Sequence, residues 1–298
     1  MLEGGLQMKK KYEDKRNWKE YNKKLVKRGE FYINPQFLET WLQEVKTMNQ
    51  RKEGYPYLYP ESLIQFAAIL HIKSFDYRAV EGILHGLAKH FNQFPVISYS
   101  QICRRTNQLD PLFATEAESI IAGVDGSGMK VSNRGDWMRH KWQVKKGWVK
   151  IVILGDTTGK IVDVRVGNEN LDERKAARGM MRRNKKRIKK LLADGLHDCE
   201  ATFNLCEALD IEPVIKIRKN ASSQGIGPRP RAVQIYKEKG HENWCKEKEY
   251  GLRWICTEGI FSAVKRIFGE CLHATKKRNI YHEAKLKFWA YQKIQNIC

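Results

Sequence analysis

The sequence predicts an α/β protein in which a mixed sheet is flanked by helices and preceded by an all-helical region. Three observations predict it. From residue 1 to about Pro111, apolar residues recur three or four apart, as in FLETWLQEV and ESLIQFAAILHI, and no strand-like run interrupts them. From Ser119 the pattern changes to short apolar or alternating runs, SIIAGVD, GMKVSN and GWVKIVILGDTTGKIVDVRVG, the last folding back at Asp156 to Gly159. Beyond these, LLAD, EATFNLCEAL and EPVIKIR give strand, helix and strand at a spacing that suits parallel pairing.

Taken in order, SFDYRAVEGILHGL and SYSQICRRTNQL read as two short helices, each opened by a serine suited to capping and separated by a turn near Phe94 and Pro95. A helix-turn-helix with Arg104 and Arg105 facing DNA is compatible with this, although short helices joined by turns more often form a plain bundle. The three runs after Ser119 predict three consecutive antiparallel strands, with Asp125 ending the first where VDGSG turns. NENLDERKAARGMMRRNKKRIKK predicts an amphipathic helix with Ala177, Met181, Ile188 and Leu192 on one face and basic residues on the others. Residues 218–250 carry Gly225, Gly227, Pro228 and Pro230 and read as a polar, loop-like insertion or lid. A helix from Thr257 to about Gly269 and another across EAKLKFWAYQKI close the chain.

The chain has 298 residues, 42% of them hydrophobic, and a formal net charge of +21 from 55 Lys and Arg against 34 Asp and Glu. There is enough apolar material for a buried core, so a disordered tail is excluded. So large a basic excess, distributed along the chain, points to a polyanionic partner. No stretch reaches the roughly 18 to 20 apolar residues that span a bilayer, and the first residues lack a secretory apolar segment. A protein that stays in the cytoplasm is expected. Seven cysteines without a CxxC pair suit reduced thiols and exclude a zinc site built from two such pairs.

Three acids carry the chemistry. Asp125 and Asp194 each follow an apolar strand, and Glu258 opens a helix whose Ile260, Val264 and Ile267 face the core. Singly, each has a plain structural reading: two turn-capping aspartates, with Asp198 a nearby decoy, and a glutamate favoured by a helix dipole. Together they form an oxygen-rich set suited to Mg²⁺ or Mn²⁺. Two such ions about 3.5 to 4 Å apart activate a water or 3′-hydroxyl and stabilise the leaving oxygen of a phosphodiester. Lys265 lies two helical turns, roughly 10 Å, beyond Glu258 on the same face, where it can hold a phosphate. Arg253 and Tyr250 stand just before that helix, and Arg182, Arg183, Lys185 and Lys186 form a basic surface for DNA.

VDGSG, LLADGLHD and RWICTEGIFSAVKRIFG resemble the three motif regions of insertion-sequence DDE transposases, a prokaryotic group with a ribonuclease-H-like catalytic domain. NWKEYNKKLVKRGE, YPYLYPESLIQFAAIL and GDWMRHKWQVKKGWVK are also similar to members of that group. Its third region carries Tyr, two residues, Arg, three residues, Glu, six residues and Lys; Tyr250, Arg253, Glu258 and Lys265 follow this with one extra residue between Arg253 and Glu258.

The resemblance implies a ribonuclease-H-like mixed sheet over residues 112–298, with the 218–250 insertion packing against transposon-end DNA, and a helical DNA-binding and dimerisation domain over 1–111. It implies that Asp125, Asp194 and Glu258 bind two metal ions. The expected partners are double-stranded DNA, both inverted-repeat ends and target, and a second copy of the chain in a homodimer, at the nucleoid and away from membranes. A structure-specific nuclease with the same triad, or an inactive derivative kept as a DNA-binding protein, are the competing readings. An RNA-binding protein ranks below them, because Trp148 is nearly alone as a stacking aromatic in the strand runs.

Overall fold

In the computed structural model, residues 17–91, 94–113, 117–131 and 147–297 are described. Five helices come first: α1 (Trp18–Tyr32), α2 (Phe37–Met48), α3 (Glu61–Ile72), α4 (Tyr77–Ala88) and α5 (Tyr99–Thr106). The Asn17 side chain caps α1 by accepting from Lys19 and Glu20 amides. Helix α3 is the centre of this region, since its apolar residues face nearly all round and eight of them are buried. The serine caps expected for α4 and α5 differ from those observed. Asp76 caps α4 by accepting from the Ala79 amide at 2.8 Å, and Ser98 stands at the α5 N-cap but its hydroxyl pairs with that of Ser100 at 3.1 Å instead of accepting from a helix amide. A carboxylate is the stronger acceptor for an exposed helix amide.

The sheet contains β1 (Ile120–Val131), β2 (Trp148–Asp156), β3 (Ile161–Asn168), β4 (Ile188–Ala193), β5 (Glu212–Ile215) and the short β6 (Cys271–Leu272). Its order is β3-β2-β1-β4-β5, with β6 on the far half of β1. β1, β2 and β3 pair antiparallel, while β4 runs parallel to both β1 and β5, so the sheet is mixed. The expected turn at VDGSG is absent: β1 continues through it, with Asp125 opposite Ile153 and Gly126 opposite Val152. The ladder to β2 supplies hydrogen bonds along the whole run, and this overrides the weak strand propensity of glycine.

The remaining helices are α6 (Glu173–Arg183), α7 (Glu200–Ala208), α8 (Pro228–Glu247), α9 (Arg253–Cys256), α10 (Glu258–Phe268) and α11 (Lys277–Ile297). Two of them correct the sequence reading. Helix α6 ends at Arg183, so Ile188 and Leu192 belong to β4 and not to its face; the backbone of Ile188 is pulled into register with Ile120 of β1. The segment read as a loop contains α8, because Pro228 and Pro230 stand in its first turn, where the missing amide hydrogens are not needed. Val233 and Trp244 anchor α8 in the core, and Gly240 (φ 71°) kinks it.

One face of the sheet packs on α3, α10 and α11 around Met129, Ile151, Ile153, Val264 and Phe288. The other packs on α6, α7 and α8 around Val124, Leu154, Met180, Leu191 and Phe203. Buried Lys287 on α11 donates to the carbonyls of Phe268 and Cys271, satisfying the end of α10. Burial pushes its pKa down.

Candidate active site

Neighbouring strands bring two of the three acids together. Val124 of β1 pairs with Ala193 of β4, so Asp125 and Asp194 follow at adjacent places on parallel strands roughly 4.8 Å apart. Asp194 caps a short turn, accepting from the Leu196 amide at 3.0 Å. Asp125 accepts from the Gly126 amide at 2.8 Å.

Glu258 arrives from the opposite direction, on a hinge pressed flat against the sheet. Gly123 and Gly155 are register partners on β1 and β2, and together they leave room for Cys256. A Cβ on Gly155 would lie 2.1 Å from the Cys256 carbonyl oxygen, and one on Gly123 would lie 2.4 Å from the Cys256 Cβ. Buried Thr257 then breaks the helix (φ −136°, ψ −72°), its hydroxyl donating to the Arg253 carbonyl at 2.9 Å. This break absorbs the extra residue between Arg253 and Glu258.

As a result Arg253 reaches both acids. Its guanidinium donates to Asp125 Oδ2 at 3.4 Å and to Glu258 Oε1. Burial of the Arg253 side chain acts to lower its pKa, but Tyr250, Asp125 and Glu258 outweigh that and raise it. Burial pushes the Asp125 pKa up, assisted by the charges of Asp194 and Glu173 and opposed by the Gly126 amide and Arg253. Asp125 is 20% exposed and Glu258 45%, so Asp125 bears most of the desolvation. Tyr250 completes the wall: its hydroxyl donates to the Ala193 carbonyl at 3.2 Å, and burial pushes its pKa to about 12.

Among the described residues, no three His, Cys, Asp or Glu side chains converge closely enough to hold a metal ion. The donor chemistry nevertheless fits a hard cation, since Asp125 and Glu258 offer carboxylate oxygens to one positive centre and Arg253 now fills that role.

Other predicted residues are elsewhere. Lys265 lies two turns along α10 from Glu258, near it in register but outside contact. Arg182 and Arg183 end α6, and Lys185 and Lys186 lead into the start of β4, so all four stand at the other end of that strand from Asp194, roughly 20 Å away at 3.3 Å per residue. Arg183 is engaged by Asp163, at 3.1 and 2.9 Å. Arg105 donates to the Tyr59 carbonyl at 2.6 Å and is half-buried, which makes it a strut of the helical region. Asp198, the decoy, is buried and binds Arg229 at 2.7 Å and the Arg218 amide at 3.1 Å, fastening the base of α8. The GDWMRHKWQVKKGWVK run lies largely outside the described residues.

Sequence reasoning missed Glu173, Lys150 and His197. Glu173, only 8% exposed, pairs with Lys150 at 2.9 Å, and His197 Nε2 stands 4.0 Å from it. His197 is fully buried with no hydrogen-bond partner for either ring nitrogen among the described residues, and burial lowers its pKa. Glu173 in the sequence looks like an ordinary first-turn acid, so nothing local announces it.

A family model described as a transposase DDE domain matches residues 117–292, and a second of the same description matches residues 26–134. The chain belongs to the DDE transposase domain family. That family comprises DNA-cleaving and transesterifying enzymes. Among solved structures, a chain of the simian T-cell lymphotropic virus intasome in complex with PP2A regulatory subunit B56 gamma aligns with 57% of this chain at 12% identity and a TM-score of 0.24. This chain spans 63% of the length of that one. A pre-cleavage Mos1 transpososome aligns with 91% of this chain and 96% of its own at 11% identity and a TM-score of 0.23. No helix among the described residues is long and apolar enough to cross a membrane.

Proposed function

We propose that this chain cuts and rejoins DNA at the terminal inverted repeats of a prokaryotic insertion sequence, acting on the genome at the nucleoid as a homodimer. The observation that carries the reading is that Asp125 and Glu258, far apart in sequence, meet on one cation, Arg253, with Asp194 following the strand beside Asp125. On this reading those three residues hold two Mg²⁺ or Mn²⁺ ions. When bound, such ions supply Lewis-acid stabilisation of the attacking and leaving oxygens.

The chain's own residues do the rest. Arg253 leaves the carboxylates for a DNA phosphate, and Tyr250 lies 5.8 Å from its guanidinium, a cation–π contact that limits where it swings. Lys265 holds a phosphate next to the scissile one. On this reading the N-terminal region over 1–111 and the 218–250 segment bind the DNA ends.

The test is cleavage and strand transfer on a duplex carrying the repeats that flank the coding region. Asp125→Asn, Asp194→Asn and Glu258→Gln should each lower Mg²⁺-dependent cleavage at least about a hundredfold, given that losing even an outer-shell partner costs 10- to 100-fold. Folding and DNA affinity should persist. Normal cleavage by one of them removes that residue from the site, and cleavage without strand transfer would identify a nuclease.

A further inference from the structure

A second concave basic surface lies toward the other end of α10 from Glu258. It is a cleft of 350 Å³ between α1, the end of α3, α10 and α11. Tyr21, Leu25, Arg28 and Tyr32 of α1 face into it at helical spacing, on the stripe where a surface helix places its apolar residues. None of α1 is buried, so the helix lies across its neighbours without sealing against them.

Four cations line this cleft, Lys24, Arg28, Lys73 and Arg266, and no carboxylate does among the described residues. Lys73 is fixed in place: its ammonium donates to the Ile267 carbonyl at 3.0 Å and sits 5.0 Å from the centre of the Tyr32 ring. Burial, and then the charge of Arg28, push the Lys73 pKa down. Arg28, Lys73 and Arg266 place three positive charges on the walls of this cleft, which favours an anion there.

The size selects the anion. At 350 Å³ the cleft admits a small anionic group such as a phosphate and is too small for a duplex. Contacts made there go to backbone phosphate and carry no base information. Arg266 is eight residues beyond Glu258, roughly 12 Å along α10, a distance that about three to four phosphates of one strand cover at 3.4 Å each.

We propose that this cleft seats a backbone phosphate of the DNA about three to four nucleotides from the one at the carboxylates. The proposal rests on the DNA reading above and adds a residue set outside the acid cluster. Its measurement needs no metal. In EDTA, the affinity of wild-type protein and of the Arg28→Ala/Arg266→Ala double variant for a short generic duplex is followed by anisotropy across a range of KCl.

The slope of log affinity against log salt should become shallower by about 0.9 in the alanine variant, the amount for one neutralised phosphate. The Arg28→Lys/Arg266→Lys variant should keep the wild-type slope. An unchanged slope in the alanine variant overturns the proposal. A footprint on the wild-type chain guards against a folding defect: the duplex should protect Lys24 from acylation, and equal labelling with and without DNA also overturns it. Because neither assay involves cleavage, an inactive triad with an altered slope would sink the transposase reading alone, and normal cleavage with an unaltered slope would sink only the cleft.

Discussion

The two ends of β4 carry opposite charge and are built in opposite ways. Past its end, Asp194 stands on the strand beside Asp125, which Arg253 bridges to Glu258, and tightly packed glycines back the hinge that carries Glu258. At its start, Arg182, Lys185 and Lys186 project into solvent, with only Arg183 tied down by Asp163. The first end is closely packed, with Cys256 pressed onto Gly123 and Gly155, as positioned chemistry requires. The second is loose and solvated, which suffices for attracting a polyanion over a Debye length of about 8 to 10 Å.

Substitutions separate the two ends. The largest effect expected is for Gly155→Ala, because its Cβ would meet the Cys256 carbonyl, a backbone atom that cannot step aside without moving the α9 hinge. It should cost about 1 to 3 kcal/mol or more in thermal or urea unfolding, while Lys186→Ala should change stability by less than about 0.5 kcal/mol. Equal stability of wild type and Gly155→Ala would show that the hinge is not seated on these strands.

Lys265→Ala should lower single-turnover cleavage of an end-containing duplex at saturating protein by about ten- to a hundredfold, with bulk affinity changed only a few-fold. Lys265→Arg should recover part of this, since a planar fork does not reproduce a compact ammonium. Wild-type rates for the alanine variant would make Lys265 an ordinary solvated lysine.

The basic end should behave in reverse. Replacing Arg182, Lys185 and Lys186 together should weaken DNA binding and flatten its salt dependence by up to about 0.9 per lost phosphate contact, with single-turnover cleavage at saturating protein unchanged. If the salt slope does not move, the DNA track does not cross this end of the sheet.

The charge balance of the acid cluster gives two smaller effects in metal-free protein. Arg253→Ala should bind Mn²⁺ more tightly in calorimetry, since no guanidinium competes for Asp125 and Glu258; weaker binding would mean that Arg253 orders the carboxylates instead. Asp125→Asn should slightly raise the melting temperature in EDTA at neutral pH. The folded pKa of Asp125 is raised above 3.8, chiefly by burial, so the fold favours its protonated form, and stability is lost as pH rises through the folded value. Below pH 3.8 wild type and variant should converge, and a lower melting temperature at neutral pH would show that the Arg253 pair outweighs the burial.

The sequence by itself determined the helical first region, the mixed sheet, the place of Asp194 after a strand and that of Glu258 at a helix start. Those properties depend on local periodicity, and in α7, β5 and α10 the period was unambiguous. It misplaced the elements whose state depends on a distant partner. VDGSG looks like a turn until β2 is laid beside it, and Ile188 and Leu192 continue a helical stripe until β1 pairs with their backbone. Pro228 and Pro230 signal a break or a helix start with equal force, and buried Trp244 decides for the helix.

Within the candidate site, Asp194 after its strand and Glu258 at its helix start were legible from local pattern, whereas Asp125 was singled out as the end of a strand that in fact continues through it. Only the tertiary structure decided that Arg253 bridges two of them, that Asp198 is a fastening for α8, and that Glu173 and His197 lie behind Asp125. It also decided that the basic run of 182–186 stands away from the acids. The reason is the same in each case: which charges face one another is fixed by strand register and by the Thr257 break, and neither is written in the residues on either side.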